Sequence, residues 1–342
     1  MITGYAETTN TLKFCEHTRM KQKVLITGAT GFLCSELTKR LLAEGNEVWG
    51  LCRNITKANK IFGNYRFWHP IFQDVCQALD LDINFDYIIH GASPATPQMY
   101  NSHPVDVIKP NTIGTLFMLE YARRRPPKKF MFISSAAVYG ENLSKPCNEN
   151  TPGIGNPLEL RSCYEESKRL GENLVVSFGH QYNINNSIIR PYHVYGPGMS
   201  LGDGRVISDF VLNAKNRENI LIRGDGNASR TLLYIEDFVD GALTVLFNGL
   251  NGNAYNIGNP DAELTTRDMA NTIASIYGLK VIINIPVKEG YLPSPITRMP
   301  IDVNKLLALG WRPKVSFCKG IKITVEAHCE MATYRLQWVY RK

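Results

Sequence analysis

Residues 23–42 read KVLITGATGFLCSELTKRLL, and this stretch decides the fold. A short β-type run, Val24, Leu25 and Ile26, ends at Thr27. A glycine turn follows, and then Leu33, Leu37, Leu41 and Leu42 recur at helical spacing. Strand, glycine turn and helix in that order aim backbone N–H groups at a pyrophosphate. Gly28 supplies the turn. Gly31, which has no Cβ, lets the backbone approach phosphate oxygens. The spacing is GxxGxxC, with Cys34 where a third glycine normally lets helix and strand pack closely. Cysteine is small and suited to burial, so a slightly wider gap is expected.

Further β-type runs lie at 47–54 (EVWGLCRN), 67–75 (FWHPIFQDV), 85–93 (FDYIIHGAS), 128–140 (KKFMFISSAAVYG) and 186–197 (NSIIRPYHVYGP). Helical periodicity covers 105–121 and 162–182. This alternation predicts an α/β fold, a Rossmann-type doubly wound parallel sheet. The unbroken apolar runs YII and MFI suit strands buried on both faces. Beyond Pro197 the pieces shorten: helices at 206–215 and 237–247, and strands at 220–224, 231–234 and 253–258. Thr265 and Asp268 form a capping box ahead of a helix at 267–277. A strand at 280–286 and a long helix within 317–336 complete a smaller mixed α/β C-terminal substrate region. The expected organisation is a leader at 1–22, a dinucleotide-binding Rossmann domain at 23–197 and a mainly substrate-binding region at 198–342. The Pro/Gly-rich segment 191–204 is the hinge.

The chain has 342 residues, 44% of them hydrophobic and 20% charged, with a formal net charge of +7. No apolar run approaches the roughly 18 residues that span a bilayer, so no membrane partner is expected. The first 20 residues lack the apolar segment of a signal peptide. Arg123, Arg124 and Arg125, with Lys128 and Lys129, fall at a helix end before a strand, where cations are favoured, so nucleic acid is not expected. The excess charge suits a small anionic ligand such as a sugar nucleotide. The eight cysteines, Cys15, Cys34, Cys52, Cys76, Cys147, Cys163, Cys318 and Cys329, form no CxxC pair. They point to a reduced, cytoplasmic protein with no metal site.

Tyr164 and Lys168 make the pattern YxxxK within a helical stretch, so both side chains share one face. An ammonium beside a phenol favours the phenolate, which lowers its pKa toward the range of a general base. The same lysine can hold a nicotinamide ribose. Ser135, at the end of a strand, is placed to orient a substrate oxygen toward Tyr164.

With these residues in place, TGATGFL, QDV, HGASPA, NTIGT, SSAAVYG, YEESK, RPYHVYGPG and Arg298 occur in an order that resembles the extended short-chain dehydrogenase/reductase family. Its members include NAD-dependent nucleotide-sugar epimerases and dehydratases. The resemblance covers residues 21–313. HGASPATP, RSCYEESKR and GMSLGDGRV are most similar to the UDP-glucuronate decarboxylase and dTDP-glucose 4,6-dehydratase branch.

The resemblance implies that Gly28, Thr30, Gly31, Phe32 and Leu33 line the dinucleotide pyrophosphate and that Asp74 and Val75 contact the adenine. Ala92, Ser93 and Pro94 would border the cofactor, with Asn111, Pro191 and His193 beside it. Ser135, Tyr164 and Lys168 would be catalytic, and Arg190 structural. Ser135, Arg161, His193, Arg205, Arg230 and Arg298 would meet the substrate, the last three arginines clamping its diphosphate. His193 stands where an asparagine is common.

The branch carries an acidic residue just before the VYG, but this chain has Ala136 and Ala137 there. Dehydratase and decarboxylase chemistry is therefore set behind an NDP-sugar 4-epimerase, with an NDP-4-keto-sugar reductase as the alternative. Decarboxylation without the usual glutamate is a third reading. A cofactor-binding scaffold without activity is the non-enzymatic one. The second strand ends in Cys52, Arg53 and Asn54 rather than in an acid, which leans the NAD(P) choice toward NADP, with Arg53 as the 2′-phosphate partner. A homodimer is implied, through a face that includes Ile108, Ile113, Leu116, Phe117 and Leu119.

Overall fold

The computed structural model describes residues 21–140, 145–284 and 297–339, with side chains through residue 330. The expected leader therefore lies outside the described residues except for Lys21 and Gln22. In chain order the first half runs β1 (Lys23–Thr27), α1 (Phe32–Ala43), β2 (Glu47–Cys52), α2 (Ile55–Phe62), β3 (Trp68–Phe72), β4 (Tyr87–His90), α3 (Pro97–Ser102), α4 (Pro104–Lys109), α5 (Thr115–Arg124), β5 (Lys129–Ile133), α6 (Cys163–Tyr182), β6 (Asn186–Pro191) and β7 (His193–Tyr195). The second half runs α7 (Val206–Lys215), β8 (Ile220–Arg223), β9 (Ser229–Tyr234), α8 (Ile235–Asn248), β10 (Asn253–Ile257), β11 (Glu263–Thr265), α9 (Thr266–Tyr277), β12 (Val281–Asn284), α10 (Asn304–Leu307) and α11 (Phe317–Val339).

Seven strands form one parallel sheet in the order β3-β2-β1-β4-β5-β6-β10. The strand order reverses between β1 and β4, which opens a crevice at their carboxyl ends. Alternation along β1 shows why the sheet is covered on both faces. Val24 and Ile26 pack into one core with Leu37 and Leu41 of α1 and Val245 of α8, while Leu25 packs with Met118 and Leu119 of α5 and Val175 of α6. Two smaller sheets, β11-β9-β7 and β12-β8, form the remainder. Among the described residues no helix is long and apolar enough to cross a membrane.

The chain does not divide between the sheets at residue 197: β10 pairs with β6 and closes the large sheet from beyond that point. The strand expected over 186–197 breaks in two. Pro191 lacks an N–H to carry the ladder on, and Tyr192 N–H bonds to Ile257 O at 2.9 Å. Beyond it β7 pairs with β9 in another sheet. The segment 128–140, expected as a strand opening into a loop, is a strand to Ile133, after which the Ser135 hydroxyl accepts from Ala137 N–H at 3.1 Å and starts a 3₁₀ turn, Ala136–Tyr139. The helix expected over 105–121 is α4 and α5 joined by a π-helical turn, Pro110–Gly114. Pro110 has no N–H for the α ladder, and the wider turn turns Asn111 fully inward. The capping box of Thr265 and Asp268 is present at the start of α9.

Candidate active site

The crevice is built first from backbone. Gly28 has φ +67°, and a Cβ there would stand 2.8 Å from Ala92 Cα, so both conformation and space require glycine. Gly31 begins α1, and a Cβ on it would meet only Gly28 O, at 3.1 Å, with open space beyond. The first helical bond of α1 is Ser35 N–H to Gly31 O at 2.8 Å. The amides of Phe32, Leu33 and Cys34 are thus left at the helix start for an anion. No acidic residue lies in that first turn.

Cys34 is accommodated against a glycine of the neighbouring strand end. Its thiol fills the place where a Cβ on Gly91 would collide with it. The thiol is 3% exposed, and burial pushes its pKa up to about 12, so it is a packed apolar group.

Opposite, Thr27 Oγ1 accepts from Gly91 N–H and Ala92 N–H, each at 3.1 Å, and lies 2.7 Å from His90 Nδ1. His90 Nε2 lies 3.0 Å from Thr115 Oγ1, whose hydroxyl donates to Asn111 O at 2.6 Å. This chain of bonds ties β1, β4 and α5 together where the strands end. Ser93 Oγ and Asn111 Oδ1 are buried and find no partner among the described residues. Buried polar atoms of that kind are ordinarily satisfied, so they fit a wall that a polar ligand completes. Val75 packs against Gly114, and Asp74 Oδ1 accepts from Cys76 N–H at 2.8 Å. Arg53 is exposed and stands 3.8 Å from the Asp74 carboxylate.

α6 delivers the reactive side chains. Tyr164, Lys168 and Glu172 fall one turn apart, all on its buried face. Lys168 Nζ donates to Ile133 O at 2.8 Å and lies 5.9 Å from the centre of the Tyr164 ring. The Ser135 hydroxyl lies near enough to the Tyr164 phenol to favour its phenolate. The expected lowering of the phenol by the ammonium is not what the structure gives. Burial pushes Tyr164 up to about 12, with the Ser135 contact pulling back, and burial lowers Lys168 to about 7. Desolvation of each charged form is the largest cause of both shifts. The ring of Tyr100, from α3, stacks on Tyr164 at 5.0 Å between centroids and 13° between planes.

The proposed substrate residues come from the small sheet and its flanks. His193 on β7 is paired in register with Leu232 of β9, and Arg230 lies on the same strand β9. Burial, and then Arg230, lower His193 to about 3, and its Nδ1 is buried with no partner among the described residues. Arg205 grips Asp203 through Nε at 2.9 Å and Nη2 at 2.5 Å, close enough to Tyr164 to lower it. Arg161 lies 5.9 Å from the Tyr100 ring centre and 4.0 Å from Glu165. Arg230 Nη1 donates to Ser229 O at 2.7 Å. Arg298 forms a two-pronged pair with Glu263, at 2.6 and 3.1 Å, and Glu263 in turn accepts from Ser229 at 3.2 Å. Ser135, Tyr164 and Lys168 are therefore brought together, with Arg205 in electrostatic reach of Tyr164 and His193 in reach of Arg205 and Arg230. Arg298 is joined to this group only through Glu263 and Ser229.

Residues 24–258 match the model of the NAD dependent epimerase/dehydratase family. The chain belongs to that family. It is 35% identical over 324 residues to UDP-glucuronic acid decarboxylase 5 of Arabidopsis thaliana, covering 92% of this chain and 90% of that protein. It is 34% identical over 317 residues to UDP-glucuronic acid decarboxylase 1 of Danio rerio, covering 90% of this chain and 72% of that one. The UDP-glucose 4-epimerase of Thermotoga maritima, solved with UDP-glucose, superposes with a TM-score of 0.78 at 25% identity, over 91% of this chain and 99% of that one. The UDP-glucose 4-epimerase of Thermus thermophilus, solved in complex with NAD, gives 0.76 at 26% identity, over 89% and 98%.

Within this NAD-dependent epimerase/dehydratase family member, sequence reasoning passed over Thr27, Tyr100 and Glu165. Thr27 reads as an ordinary strand end, and its bonds to the next strand appear only in three dimensions. Tyr100 sits in a short helix with no motif around it. Glu165 follows Tyr164, and burial raises its carboxyl group above the usual range. Its Oε2 has no partner among the described residues. The adjacency of Glu165 to Tyr164 was the only available signal.

Proposed function

We propose that the chain is a nucleotide-sugar 4-epimerase, acting by transient oxidation at C4. The observation that carries this reading is the convergence of Ser135, Tyr164 and Lys168 at the crevice, beside a 3₁₀ turn whose residues 136 and 137 are alanine. Bound at the α1 amides, a nicotinamide dinucleotide would supply a hydride acceptor and donor. Ser135 bonds the O4 hydroxyl and turns it toward Tyr164. Tyr164 takes the O4 proton as C4 is oxidised and gives it back as C4 is reduced. Lys168 would hold the ribose, and in its protonated form it keeps a positive charge near the phenol. With no carboxylate at 136 or 137, a step at C5 or C6 has no base from that turn. Arg205, Arg230 and Arg298 supply positive charge for a diphosphate, with Arg161 and His193 toward the sugar.

For the dinucleotide we read NAD. The lean toward NADP rested on Arg53, and Asp74 at 3.8 Å would set a carboxylate beside a 2′-phosphate. Competitive titration of NAD against NADP tests this. An exposed apolar stripe, Ile108, Ile113 and Leu116 with Leu170 and Val176 of α6, supports a homodimer, whereas Leu119 faces the core. Light scattering on the purified protein tests that reading. The seven described cysteines are all free, which supports a reducing, cytoplasmic setting.

The decisive experiment offers UDP-glucose, UDP-glucuronate and their dTDP counterparts to the NAD-loaded protein. A C4 epimer of unchanged mass supports the proposal. A second reading, decarboxylation, is favoured by the Arabidopsis and Danio relatives, and loss of CO₂ from UDP-glucuronate would establish it. Net consumption of reduced dinucleotide would mark a ketoreductase. Dinucleotide binding without any turnover would leave the scaffold reading.

A further inference from the structure

Behind the crevice lies a buried polar network that no step above uses. Glu172 follows Lys168 by one helical turn on α6 and is 9% exposed. Its Oε1 accepts from the Ser134 hydroxyl at 2.5 Å and from Arg190 Nε at 2.9 Å, and its Oε2 accepts from Arg190 Nη2 at 2.6 Å. Arg190, on β6, also donates through Nη1 to the Tyr139 hydroxyl at 2.9 Å and to Glu149 O at 2.9 Å. The Tyr139 hydroxyl donates to Asn256 Oδ1 of β10 at 2.7 Å. One carboxylate is thus bound to the residue before Ser135 and, through Arg190 and Tyr139, to the end of the 3₁₀ turn after it. Ser135 is clamped from both sides, and the clamp is anchored on the helix that carries Tyr164 and Lys168. A surface pair has no such reach, and a buried carboxylate held by three hydrogen bonds is a high-stakes device.

We propose that Glu172 is the positioning residue of this site, fixing Ser135 against Tyr164 through Ser134 and Arg190 and facing its charge to Lys168. The proposal rests on the catalytic roles argued above for Ser135, Tyr164 and Lys168. Its electrostatic part concerns Lys168, whose titratable neighbours are Cys34 of α1, His90 of β4, and Tyr164 and Glu172 of α6. Of these, Glu172 is the neighbouring carboxylate, and it favours the ammonium form. Removing its charge lets Lys168 lose its proton at lower pH.

The test uses Glu172→Gln, Glu172→Asp and Ser134→Ala in the full-length, NAD-loaded protein. Glu172→Gln keeps shape but not charge. Its kcat at neutral pH should fall about 10- to 100-fold with KM within about threefold, the split expected of a lost positioning contact. The alkaline limb of its pH profile should move down by about one unit. Glu172→Asp should restore the position of the limb without the full height. Ser134→Ala leaves every charge in place and removes only the hydroxyl. It should cost about tenfold in kcat, with an unmoved limb, and it keeps the test open should the Glu172 variants fail to fold. An unmoved limb in Glu172→Gln, a rise in KM matching the loss of kcat, or a fully active Ser134→Ala would overturn the proposal.

A parallel readout needs no substrate. NAD affinity, titrated between pH 6 and 9, should weaken at lower pH in Glu172→Gln than in the unaltered protein. Identical pH dependence overturns the inference about Glu172. Absence of turnover by the unaltered protein overturns the proposed function instead, and leaves this readout to decide.

Discussion

The two sides of the crevice are made from different materials. The proposed cofactor side is backbone: a glycine at φ +67°, amides at a helix start, and two strand ends tied by Thr27 and His90. The proposed substrate side is charged side chains already engaged with the protein, Arg205 with Asp203 and Arg298 with Glu263. A diphosphate there must compete with carboxylates. Backbone gives a fixed cradle and little choice of ligand, and paired arginines give choice at the cost of rearrangement. Tyr164 and Ser135 sit between the two.

The largest effect belongs to the residue at the junction. Tyr164→Phe should lower kcat by about a thousandfold, in the range of lost general acid–base catalysis, and leave NAD affinity within about threefold. Steady-state kinetics with calorimetric NAD titration would check both halves. On the cofactor side, Gly28→Val should weaken NAD about a hundredfold, because left-handed strain and the clash with Ala92 both act there. A comparable loss in affinity for UDP alone would break the distinction between the two sides.

On the substrate side, Arg205→Ala should raise KM about tenfold, the scale of one charged hydrogen bond, with NAD binding unmoved. A fall in kcat with constant KM would place Arg205 in the chemistry instead.

Smaller effects sharpen the packing account. Gly91→Ala should destabilise the fold by about 1–3 kcal/mol, and the double variant Cys34→Gly/Gly91→Ala should recover most of that loss. Chemical denaturation of the four proteins measures the coupling. The smallest concerns Lys168. Its folded pKa, about 7, lies below the ordinary lysine value, so the unfolded chain binds more protons above pH 7. Between pH 7 and 9 this group should add to the stability of the ligand-free protein as pH rises, by at most about 1.4 kcal/mol per pH unit. Lys168→Met should remove that part of the slope in denaturant titrations.

The same contrast explains what could be read from sequence. The large sheet was legible because both its faces are buried: runs such as YII and MFI have no other home, and the GATG turn has one geometry. Tyr164, Lys168 and Ser135 were legible as spacing. What sequence does not carry is desolvation. The i,i+4 spacing puts Lys168 beside Tyr164, but burial of both is the largest influence on their proton affinities. Nor does local patterning show that β10, after three small-sheet strands, returns to the large sheet. The partners of Cys34 and Glu172 lie 57 residues downstream and 38 and 18 residues away respectively, beyond any periodic pattern.

Rapid mixing of the NAD-loaded protein with UDP-glucose, UDP-glucuronate or their dTDP counterparts, each with hydrogen or deuterium at C4, tests the central claim most directly. The account predicts a transient reduced-nicotinamide absorbance that rises more slowly with deuterium and disappears in Tyr164→Phe. Absence of that signal with every one of these sugars, or its survival unchanged in Tyr164→Phe, would contradict it.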